Sequence, residues 1–599
     1  MKTLTKRLFC LLIVTVMICG MFSGCGGGVF SDIEVPTTQN GNSGNENNGT
    51  LGSNGQNNPN NEPPITLTVF SELANFSGEQ TGWISKVLLE KFNVIVNIIP
   101  STEGVYETRM EDGFLGDIIA FGGDGENYTR AIKAGMLYDW NYDNLLQEYG
   151  PYIYTNMQDA LNKNAKLTET VTGEPTVYGF GHDVAGSSEN HKSFFYTWDV
   201  RWDLYKQLGY PEIKNMDDMV QLFKDMKALC PTDENGNETY ALSLWPDWDG
   251  DMVMYVKAFA TAYYGYDEHG IGLYDPNTGN YHDALEQGGP YLTALKFFNK
   301  LYREGLLDPN SMSQTYDNMY EKVQAGGVFF SIFNYSGSLG YNSEAHLAEG
   351  KYMAPMVPTE ASPLVYGMST TGGSRVWAIG SNTAYPEKCM EIINWLCTPE
   401  GVMTYNYGPQ GLCWDYDADG YAYLTDFGKL CRGDRSTLMI GEYEGTGDFN
   451  SGCFQINNTT WSIDAVNPDS KVGETFNYEN WRSYLAGEPT EIEQDWRDFT
   501  GVTTVQEFME QRNYTVAVDG GYVMSSKDSD FKTTWSAVTD VIVNYSWRAI
   551  YAESDGEFMY IVNQMISQAN AYGYEECLQW ARAEAAARFA LEEAARKGN

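Results

Sequence analysis

Acidic and aromatic side chains that alternate over short stretches are the residues best suited to chemistry in this 599-residue chain. The densest stretch is WPDWDGD at 245–251, where Pro and Gly favour a loop. Aromatic faces stack on apolar surfaces and carboxylates accept hydrogen bonds, so this mixture suits the lining of a ligand site. We predict that a ligand cleft is lined by Trp245, Asp247, Trp248 and Asp249. The alternatives are a solvated turn with one Trp docked into the core, and a calcium loop.

Other candidate ligand-binding residues stand at the ends of apolar runs or beside turn residues. Asn334 and Tyr335 follow the apolar run 328–333, and ligand groups of α/β proteins gather at strand ends. An aromatic residue taken alone is more often part of the core than a ligand platform. The remaining predicted ligand-binding residues are Trp83, Trp198, Arg375 and Trp377.

Two acidic stretches have the pattern of a calcium loop. In 415–426 the acidic residues and Gly match an EF-hand, but Asp419-Gly420 between alternating aromatic residues favours a β-hairpin. The stretch DENGNE at 233–238 stands between a predicted helix and a short apolar run. We predict a solvated turn there and no cofactor; the alternative is a structural calcium site. Its ligands would be Asp233, Asn235, Asn237 and Glu238.

The charge of the chain excludes nucleic acid as a partner. It has 38 Lys and Arg against 80 Asp and Glu, a formal net charge of −42, and nucleic-acid affinity comes mainly from basic side chains that neutralise phosphates. The sequence contains no GxSxG, HExxH or GxxxxGKS/T motif, and its five His show no metal-ligand spacing. No glycosidase signature accompanies the acids. We therefore predict a binding protein with no catalytic residues.

The N-terminus predicts export and a lipid anchor. After a basic start, the apolar run 8–19 is shorter than the about 20 residues that span a membrane. Phe22-Ser23-Gly24-Cys25 resembles the bacterial lipobox, in which a peptidase cuts before a Cys that carries lipid such as palmitate; Phe22 replaces the usual Leu. We predict a signal peptide at 1–24 and lipidation of Cys25, with an ordinary secreted protein as the alternative.

The composition of the sequence changes at residue 65. Between 39 and 61 there are ten Asn and five Gly, too little apolar surface to fold, so 25–64 is predicted to be a disordered tether behind the lipidated Cys. An alternating strand at 65–70, a helix at 83–92 and a β-branched strand at 94–99 form a βαβ opening, which predicts an α/β fold. Further predicted elements are a strand at 116–121 and helices at 128–137, 217–229 and 386–396.

Four stretches carry a resemblance to a known family. They are the strand at 65–70; GDII at 116–119 with AGMLYD at 134–139; RWDLYKQLG at 201–209; and PEKCMEIINWL at 386–396 followed by PEG at 399–401 and YGPQG at 407–411. In order and spacing they resemble the extracellular solute-binding proteins (family 1) of bacterial ABC transporters, especially the large lipoproteins that bind oligosaccharides. The resemblance implies a two-lobed periplasmic-binding-protein-like fold, with hinge crossovers and a ligand cleft between the lobes.

The resemblance also implies a division of the chain and a function. Lobe 1 is expected at about 65–183 plus 316–370 and lobe 2 at about 184–315 plus 371–599. Chain crossings near Asn334 and Trp377 favour these two as ligand-binding residues. Related binding proteins, the alginate-binding ones among them, carry a calcium loop at the place of 233–238.

The function implied is that of a lipid-anchored extracellular substrate-binding protein of an ABC importer. It would capture a carbohydrate, expected to be an oligosaccharide, by lobe closure and deliver it to the permease transmembrane subunits. The chain is expected to be a monomer that touches the cell membrane through its lipid anchor only. The alternative is a surface glycan-binding or glycan-cleaving lipoprotein that serves no permease, and a peptide or polyamine ligand stays open.

Overall fold

The structure, a computed structural model, describes residues 63–102 and 104–597. The predicted signal peptide, the lipidation of Cys25 and nearly all of the predicted tether therefore lie outside the described residues. None of the helices in the described part combines the length and apolarity that a membrane span requires.

The elements follow one another as alternating strands and helices in the first part of the chain and mainly as helices in the last. The strands are β1 (Ile65–Ser71), β2 (Gly78–Glu79), β3 (Val94–Pro100), β4 (Ile118–Phe121), β5 (Gly179–Gly181), β6 (Tyr196–Arg201), β7 (Asp267–His269), β8 (Gly272–Tyr274), β9 (Tyr281–Asp283), β10 (Phe330–Phe333), β11 (Met353–Pro355), β12 (Leu364–Tyr366), β13 (Val376–Ile379), β14 (Trp414–Tyr416), β15 (Ala422–Leu424) and β16 (Thr515–Ala517).

The α-helices of the described residues are α1 (Gly82–Phe92), α2 (Val105–Glu111), α3 (Glu126–Lys133), α4 (Leu145–Tyr149), α5 (Pro151–Asn156), α6 (Gln158–Thr172), α7 (Trp202–Gln207), α8 (Met216–Leu229), α9 (Met254–Tyr264), α10 (Pro290–Arg303), α11 (Tyr316–Gln324), α12 (Ser338–Tyr341), α13 (Glu344–Ala348), α14 (Pro386–Cys397), α15 (Pro399–Tyr407), α16 (Asp426–Gly433), α17 (Arg482–Leu485), α18 (Glu491–Thr500), α19 (Val505–Glu510), α20 (Ser529–Ile550), α21 (Asp555–Ala571) and α22 (Tyr574–Arg596).

Lobe 1 is built on a six-stranded sheet in the order β2-β3-β1-β4-β13-β5. Strands β3, β1 and β4 are parallel, and β13 runs antiparallel between β4 and β5. The predicted βαβ opening is confirmed as β1, α1 and β3, because the β-branched run of β3 is buried on alternate residues against the first strand. Helices α14 and α15 begin with Pro at the first turn and pack beside this sheet.

Lobe 2 is built on the antiparallel sheet β10-β6-β11, with a small sheet β7-β8-β9 and the parallel pair β12-β16. Helix α8 begins where the Asn215 side chain accepts the N–H groups of Asp217 and Asp218, as its sequence predicts. Helices α9, α10, α20 and α21 share one hydrophobic core with β6 and β10. The last helices thus belong to lobe 2.

The chain crosses between the two cores three times within the described residues, at points that differ from the predicted ones. The core changes between Ala185 and Phe194, between Val365 and Met368, and between Trp481 and Ile492. The segment 316–365 thus lies in lobe 2, where β10 pairs with β6, and 368–481 lies in lobe 1, where β13 pairs with β4. The predicted assignment of 316–370 to lobe 1 and 371–599 to lobe 2 is corrected accordingly.

Two of the crossings run side by side. The N–H of Met368 donates to Asn190 O at 2.9 Å, and the N–H of Lys192 donates to Tyr366 O at 2.8 Å. The Lys192 ammonium pairs with Asp183 of lobe 1. A short pair of linked strands between two separately packed cores is the architecture of a hinge.

The hairpin interpretation of 415–426 is confirmed. Strands β14 and β15 pair antiparallel, and the Asp417 carboxylate accepts the N–H groups of Asp419 and Tyr421 within the turn. Gly420 has φ +92°, which favours Gly at this position of the turn. The seven cysteines of the described residues are free thiols, and six of them are buried.

Candidate ligand-binding cleft

A continuous row of aromatic rings crosses lobe 2 from α11 to the hinge. We call it the aromatic row and define it as Trp248, Tyr316, Tyr335, Phe333, Tyr196, Phe195 and Tyr366. The ring centroids of Trp248 and Tyr316 are stacked at 4.6 Å, those of Phe333 and Tyr335 at 4.8 Å, and those of Phe195 and Tyr366 at 5.9 Å. Intermediate contacts join these pairs at 5.5 to 6.4 Å.

Three members of the row are half-buried and four are buried. Trp248, Phe195 and Tyr366 are the half-buried ones, so these residues keep some contact with solvent. The other four rings are buried and support these three from below. Phe195 and Tyr366 each stand one or two residues from a crossing between the lobes, which places this end of the row at the hinge.

The loop 245–251 that carries Trp248 is fixed by its own acids. Asp249 accepts the Trp547 Nε1–H at 2.6 Å and the Met254 N–H at the start of α9 at 2.7 Å. Asp251 accepts the Trp535 Nε1–H at 2.8 Å. Burial raises the pKa of Asp249 to about 6, against the opposing effect of these hydrogen bonds. Both carboxylates are therefore anchors of the loop on α20.

Of the predicted residues in this loop, the structure brings two to the surface of the row. Trp248 is half-buried and Asp247 is exposed, and the Asp247 carboxylate accepts the N–H of Tyr316 at 2.8 Å. Trp245 is buried beneath them, with its ring edge-on to Trp248 at 5.3 Å. Asp317 stands beside Asp247, and burial followed by the Asp247 charge raises its pKa. The outer end of the row therefore carries carboxylates that can accept hydrogen bonds from hydroxyls.

Lobe 1 presents polar groups at the carboxyl ends of its parallel strands. Glu72 follows β1, and its carboxylate accepts the Gly122 N–H after β4 at 2.7 Å and Asn127 Nδ2–H at 2.8 Å. Burial raises the pKa of Glu72 and of Asp124. Ligands of open α/β sheets bind at this edge of the sheet, so these groups form the lobe 1 wall of the candidate cleft.

Contacts between the lobes border the aromatic row. Lys532 at the start of α20 in lobe 2 forms an ion pair with Glu126 at the start of α3 in lobe 1. At the other side, Arg435 of lobe 1 lies near Tyr320 of lobe 2: burial raises the pKa of the Tyr320 hydroxyl, and the Arg435 charge opposes part of that rise. The row thus lies at the interface of the two lobes, and we take this interface as the candidate ligand-binding cleft.

Three predicted ligand platforms are instead enclosed by their own cores. Trp83 stacks on Phe449 and donates its Nε1–H to that residue's carbonyl at 2.9 Å. Trp377 in β13 donates to Thr459 O at 2.7 Å, and Trp198 in β6 packs on Phe259 at 5.3 Å. All three are 0% exposed, so no ring face is open to a ligand in this structure.

The other two predicted positions lie nearer the cleft. Asn334 is half-buried at the end of β10, and its backbone turns the chain toward α12 by accepting the N–H groups of Gly337 and Leu339. Arg375 is half-buried after the second crossing, and its carbonyl accepts the His182 N–H at 2.9 Å. Burial and then the Arg375 charge lower the pKa of His182. Their contact with a ligand stays a prediction.

The candidate calcium loop does not form a cage of oxygen ligands. Asp233 Oδ1 accepts the N–H groups of Asn235 and Asn237 at 2.9 and 2.7 Å, and the Asn237 amide donates to the other Asp233 oxygen. Glu238 pairs with Lys227 at 2.8 Å, which lowers the pKa of Glu238. No group of three or more His, Cys, Asp or Glu in the described residues is arranged to hold a metal ion. In this structure the loop has the internal hydrogen bonds of a solvated turn.

A surface pocket of about 390 Å³ lies elsewhere on lobe 1. It is lined by Phe92, Trp395, Asn394 and neighbouring residues, at the start of β3. That is the edge of the sheet opposite the carboxyl ends of the parallel strands, so this pocket is separate from the candidate cleft.

Sequence reasoning missed much of the aromatic row. Five members of the row are not among the predicted ligand-binding residues: Phe195, Tyr196, Tyr316, Phe333 and Tyr366. The run FFY at 194–196, which lies two residues before the predicted Trp198, is the available signal. Tyr316 and Tyr366 join the row only through tertiary packing, which no local pattern reports.

Comparisons with solved structures identify the architecture. A substrate-binding protein of an ABC transporter, FusA from Streptococcus pneumoniae in complex with kestose, matches with a TM-score of 0.56 at 13% identity, over 87% of this chain and 98% of that chain. The alginate-binding protein AlgQ2 without calcium ion matches with a TM-score of 0.54 at 15% identity, over 88% of this chain and 98% of that one.

The chain has the fold of the ABC-transporter solute-binding proteins. A third match of the same kind is a solute-binding protein associated with an ABC transporter that binds HMO, from Bifidobacterium longum infantis, with a TM-score of 0.51 at 11% identity, over 88% of this chain and 99% of that chain. Protein-family models and curated protein sequences give no match. The predicted two-lobed α/β solute-binding fold is thereby confirmed.

Proposed function

We propose that this chain is a carbohydrate-binding protein that captures an oligosaccharide between its lobes and releases it to an importer. The observation that carries the proposal is the aromatic row at the interface of two separately packed lobes. Support comes from the kestose, alginate and HMO named for solved proteins of the same fold. The chain would act by binding, with no bond made or broken.

The chemistry of the cleft fits a sugar chain. Ring faces bind the apolar C–H faces of sugars, and the half-buried Trp248, Phe195 and Tyr366 are the members of the row that a sugar would reach first. Asp247 and Asp317 on one lobe, and Glu72 on the other, can accept hydrogen bonds from sugar hydroxyls. One sugar ring covers one or two platforms, so a row of this extent favours an oligosaccharide over a monosaccharide.

Closure would complete the site. The rings lie on lobe 2 and Glu72 lies on lobe 1, so both sets of groups contact one ligand only when the lobes approach. A ligand that contacts both lobes binds the closed form better and shifts the population toward it. The paired crossings at 190–192 and 366–368 provide the hinge for that motion.

We test this function by isothermal titration of the purified mature chain against a panel of neutral, acidic and amino oligosaccharides. At least one oligosaccharide should bind, and its monosaccharide should bind more weakly. Product analysis of the same mixtures by chromatography should find the glycan intact. Binding to none of the panel would contradict the proposal, and glycan turnover would favour the alternative of a glycan-cleaving surface protein.

The proposed location and partner follow from the sequence. Lipidation of Cys25 would hold the binding protein on the extracellular face of the cell membrane, behind the tether of 25–64. Permease subunits of an ABC importer would receive the ligand from the closed form. Uptake of the bound glycan by cells that lack the chain, compared with cells that express it, tests the coupling: unchanged uptake would favour a glycan-binding protein that serves no permease.

A further inference from the structure

Strand β6 contains a bulge opposite β10. Asp199 pairs with Ser331 and Tyr196 pairs with Phe333, so three steps along β6 match two steps along β10. Within this bulge Trp198 has φ +59°, a conformation that a bulky side chain rarely adopts. Bulges and strained residues are over-represented beside functional sites, where they re-aim a neighbouring side chain.

The residue after the strained position is a fully buried acid. Asp199 is 0% exposed, and its Oδ2 accepts the Ser338 N–H at 2.7 Å. Helix α12 begins at Ser338 after Gly337, which has no side chain to cap the helix, so Asp199 supplies the cap from another strand. A methyl group on Gly337 would lie 2.8 Å from the same Asp199 oxygen, so the turn is packed directly on the carboxylate.

Burying this carboxylate is costly. Burial raises the pKa of Asp199, and the hydrogen bond from Ser338 opposes that effect. The other carboxylate oxygen, Oδ1, is buried and accepts no hydrogen bond from the described residues. A buried charge without a cationic partner lowers stability unless its hydrogen bonds compensate. A buried acid at this position is therefore expected to have a role that its hydrogen bond to the turn fulfils.

The turn that Asp199 holds presents the centre of the aromatic row. On its other side, Ser331 Oγ donates to Phe333 O at 2.9 Å and accepts the Phe333 N–H at 3.0 Å. The Phe333 ring stacks on Tyr335, and Tyr335 lies 6.3 Å from Trp248, centroid to centroid. Moving the turn would therefore move Tyr335, one of the rings that contact the half-buried Trp248.

We propose that Asp199 is a positioning residue of the ligand site, which fixes the turn 334–338 and through it the place of Tyr335 beside Trp248. The inference rests on the proposed carbohydrate-binding function, since it assigns a role in that same site. Asp199 itself contacts no ligand, because it is enclosed beneath the turn.

The test compares variants in the mature chain by titration with the tightest glycan of the panel. Asp199→Ala should weaken the affinity about tenfold or more, the scale of a lost hydrogen bond to a charged group. Asp199→Asn keeps an acceptor oxygen for the Ser338 N–H and should stay within about threefold of wild type. Amide hydrogen exchange over 333–338 should be faster in Asp199→Ala and near wild type in Asp199→Asn.

Asp275→Ala is the matched control. Asp275 is also a buried carboxylate of lobe 2 that holds a turn, through the N–H of Asn277 and the hydroxyl of Thr278, but it contacts no ring of the row. Its loss should lower the thermal midpoint without weakening glycan affinity. Gly337→Ala places a methyl group against the Asp199 carboxylate and displaces the turn, so it should weaken glycan affinity as Asp199→Ala does. If Asp199→Ala does not fold, the affinity of Gly337→Ala tests the inference in its place.

The outcomes are distinguishable. Wild-type affinity in Asp199→Ala or in Gly337→Ala would overturn the inference while leaving the carbohydrate-binding function in place. Equal losses in Asp199→Asn and Asp199→Ala, or an equal loss in Asp275→Ala, would also overturn it, because the effect would then not follow the hydrogen bond to the turn. If wild type binds no glycan, the proposed function itself fails.

Discussion

Replacement of Trp248 by Ala separates ligand binding from stability in this protein. The Trp248 ring is half-buried, stacked on Tyr316 at 4.6 Å and edge-on to Trp245 at 5.3 Å. We expect the part of this residue that remains exposed to contact the sugar. The matched comparison is Trp83→Ala, because the Trp83 ring is fully buried in lobe 1 and offers no face.

The magnitudes follow from exposure. A sugar that covers about 60–80 Å² of ring face gains about 1.5–2 kcal/mol at about 25 cal/mol per Å², so Trp248→Ala should weaken glycan affinity about tenfold to thirtyfold. Trp248→Ala should lower the free energy of unfolding by the lost burial of a half-buried ring and by about 0.5–1.5 kcal/mol for the stacked contact with Tyr316. Trp83→Ala should instead lower the free energy of unfolding by about 3–5 kcal/mol, because it leaves a cavity in a packed core.

The assay pairs titration calorimetry with urea unfolding for both variants and wild type. We expect Trp248→Ala to lose glycan affinity and to lose less unfolding free energy than Trp83→Ala does. Trp83→Ala should lose stability and, at temperatures where it is folded, bind the glycan as wild type does. Wild-type affinity in Trp248→Ala, or a loss of affinity in folded Trp83→Ala as large as that in Trp248→Ala, would refute the assignment of the aromatic row as the ligand surface.

Three further predictions follow. Burial raises the pKa of Asp199 to about 6, so the protonated side chain stabilises the fold at low pH, and this stability, on the order of 3 kcal/mol, is lost as pH rises through 6. Urea unfolding from pH 4.5 to 7.5 should show a steeper fall in unfolding free energy for wild type than for Asp199→Asn. Parallel pH profiles of the two proteins would contradict this prediction. Added calcium should leave the thermal midpoint in scanning calorimetry unchanged, because Glu238 is paired with Lys227 and Asp233 accepts hydrogen bonds within its own turn. A rise in the midpoint that a chelator reverses would contradict this and indicate a calcium site. Cys25→Ala should move the chain from the membrane fraction to the medium, and mass spectrometry of the wild-type N-terminus should find lipid on Cys25; an unmodified Cys in the wild type would contradict the anchor.

The fold was predictable because its strongest signals are local. Alternation in β1, β-branched residues in β3 and a capped start of α8 each show in a few consecutive residues. The order of four short stretches then indicated the solute-binding fold. The lobe boundaries were not predictable in this way, because whether the apolar strand β10 pairs with β6 or with the sheet of lobe 1 depends on partners far along the chain.

The candidate site was predictable only in part. Trp248 and Asp247 were found because aromatic and acidic residues alternate with Pro and Gly in one loop. Trp83, Trp198 and Trp377 carry the same residue type but fill cores, since exposure is set by packing and not by neighbours in sequence. The supporting role of Asp199 depends on a strand bulge that the sequence does not show.

The central claim is that a sugar chain binds between the two lobes and closes them. Small-angle X-ray scattering of the mature chain, recorded with and without the tightest glycan of the titration panel, tests it most directly. We expect the radius of gyration to fall when the glycan is present at saturating concentration, and to stay unchanged in Trp248→Ala at a concentration that saturates only wild type. An unchanged radius of gyration in wild type with the glycan bound would contradict closure of the lobes on their ligand.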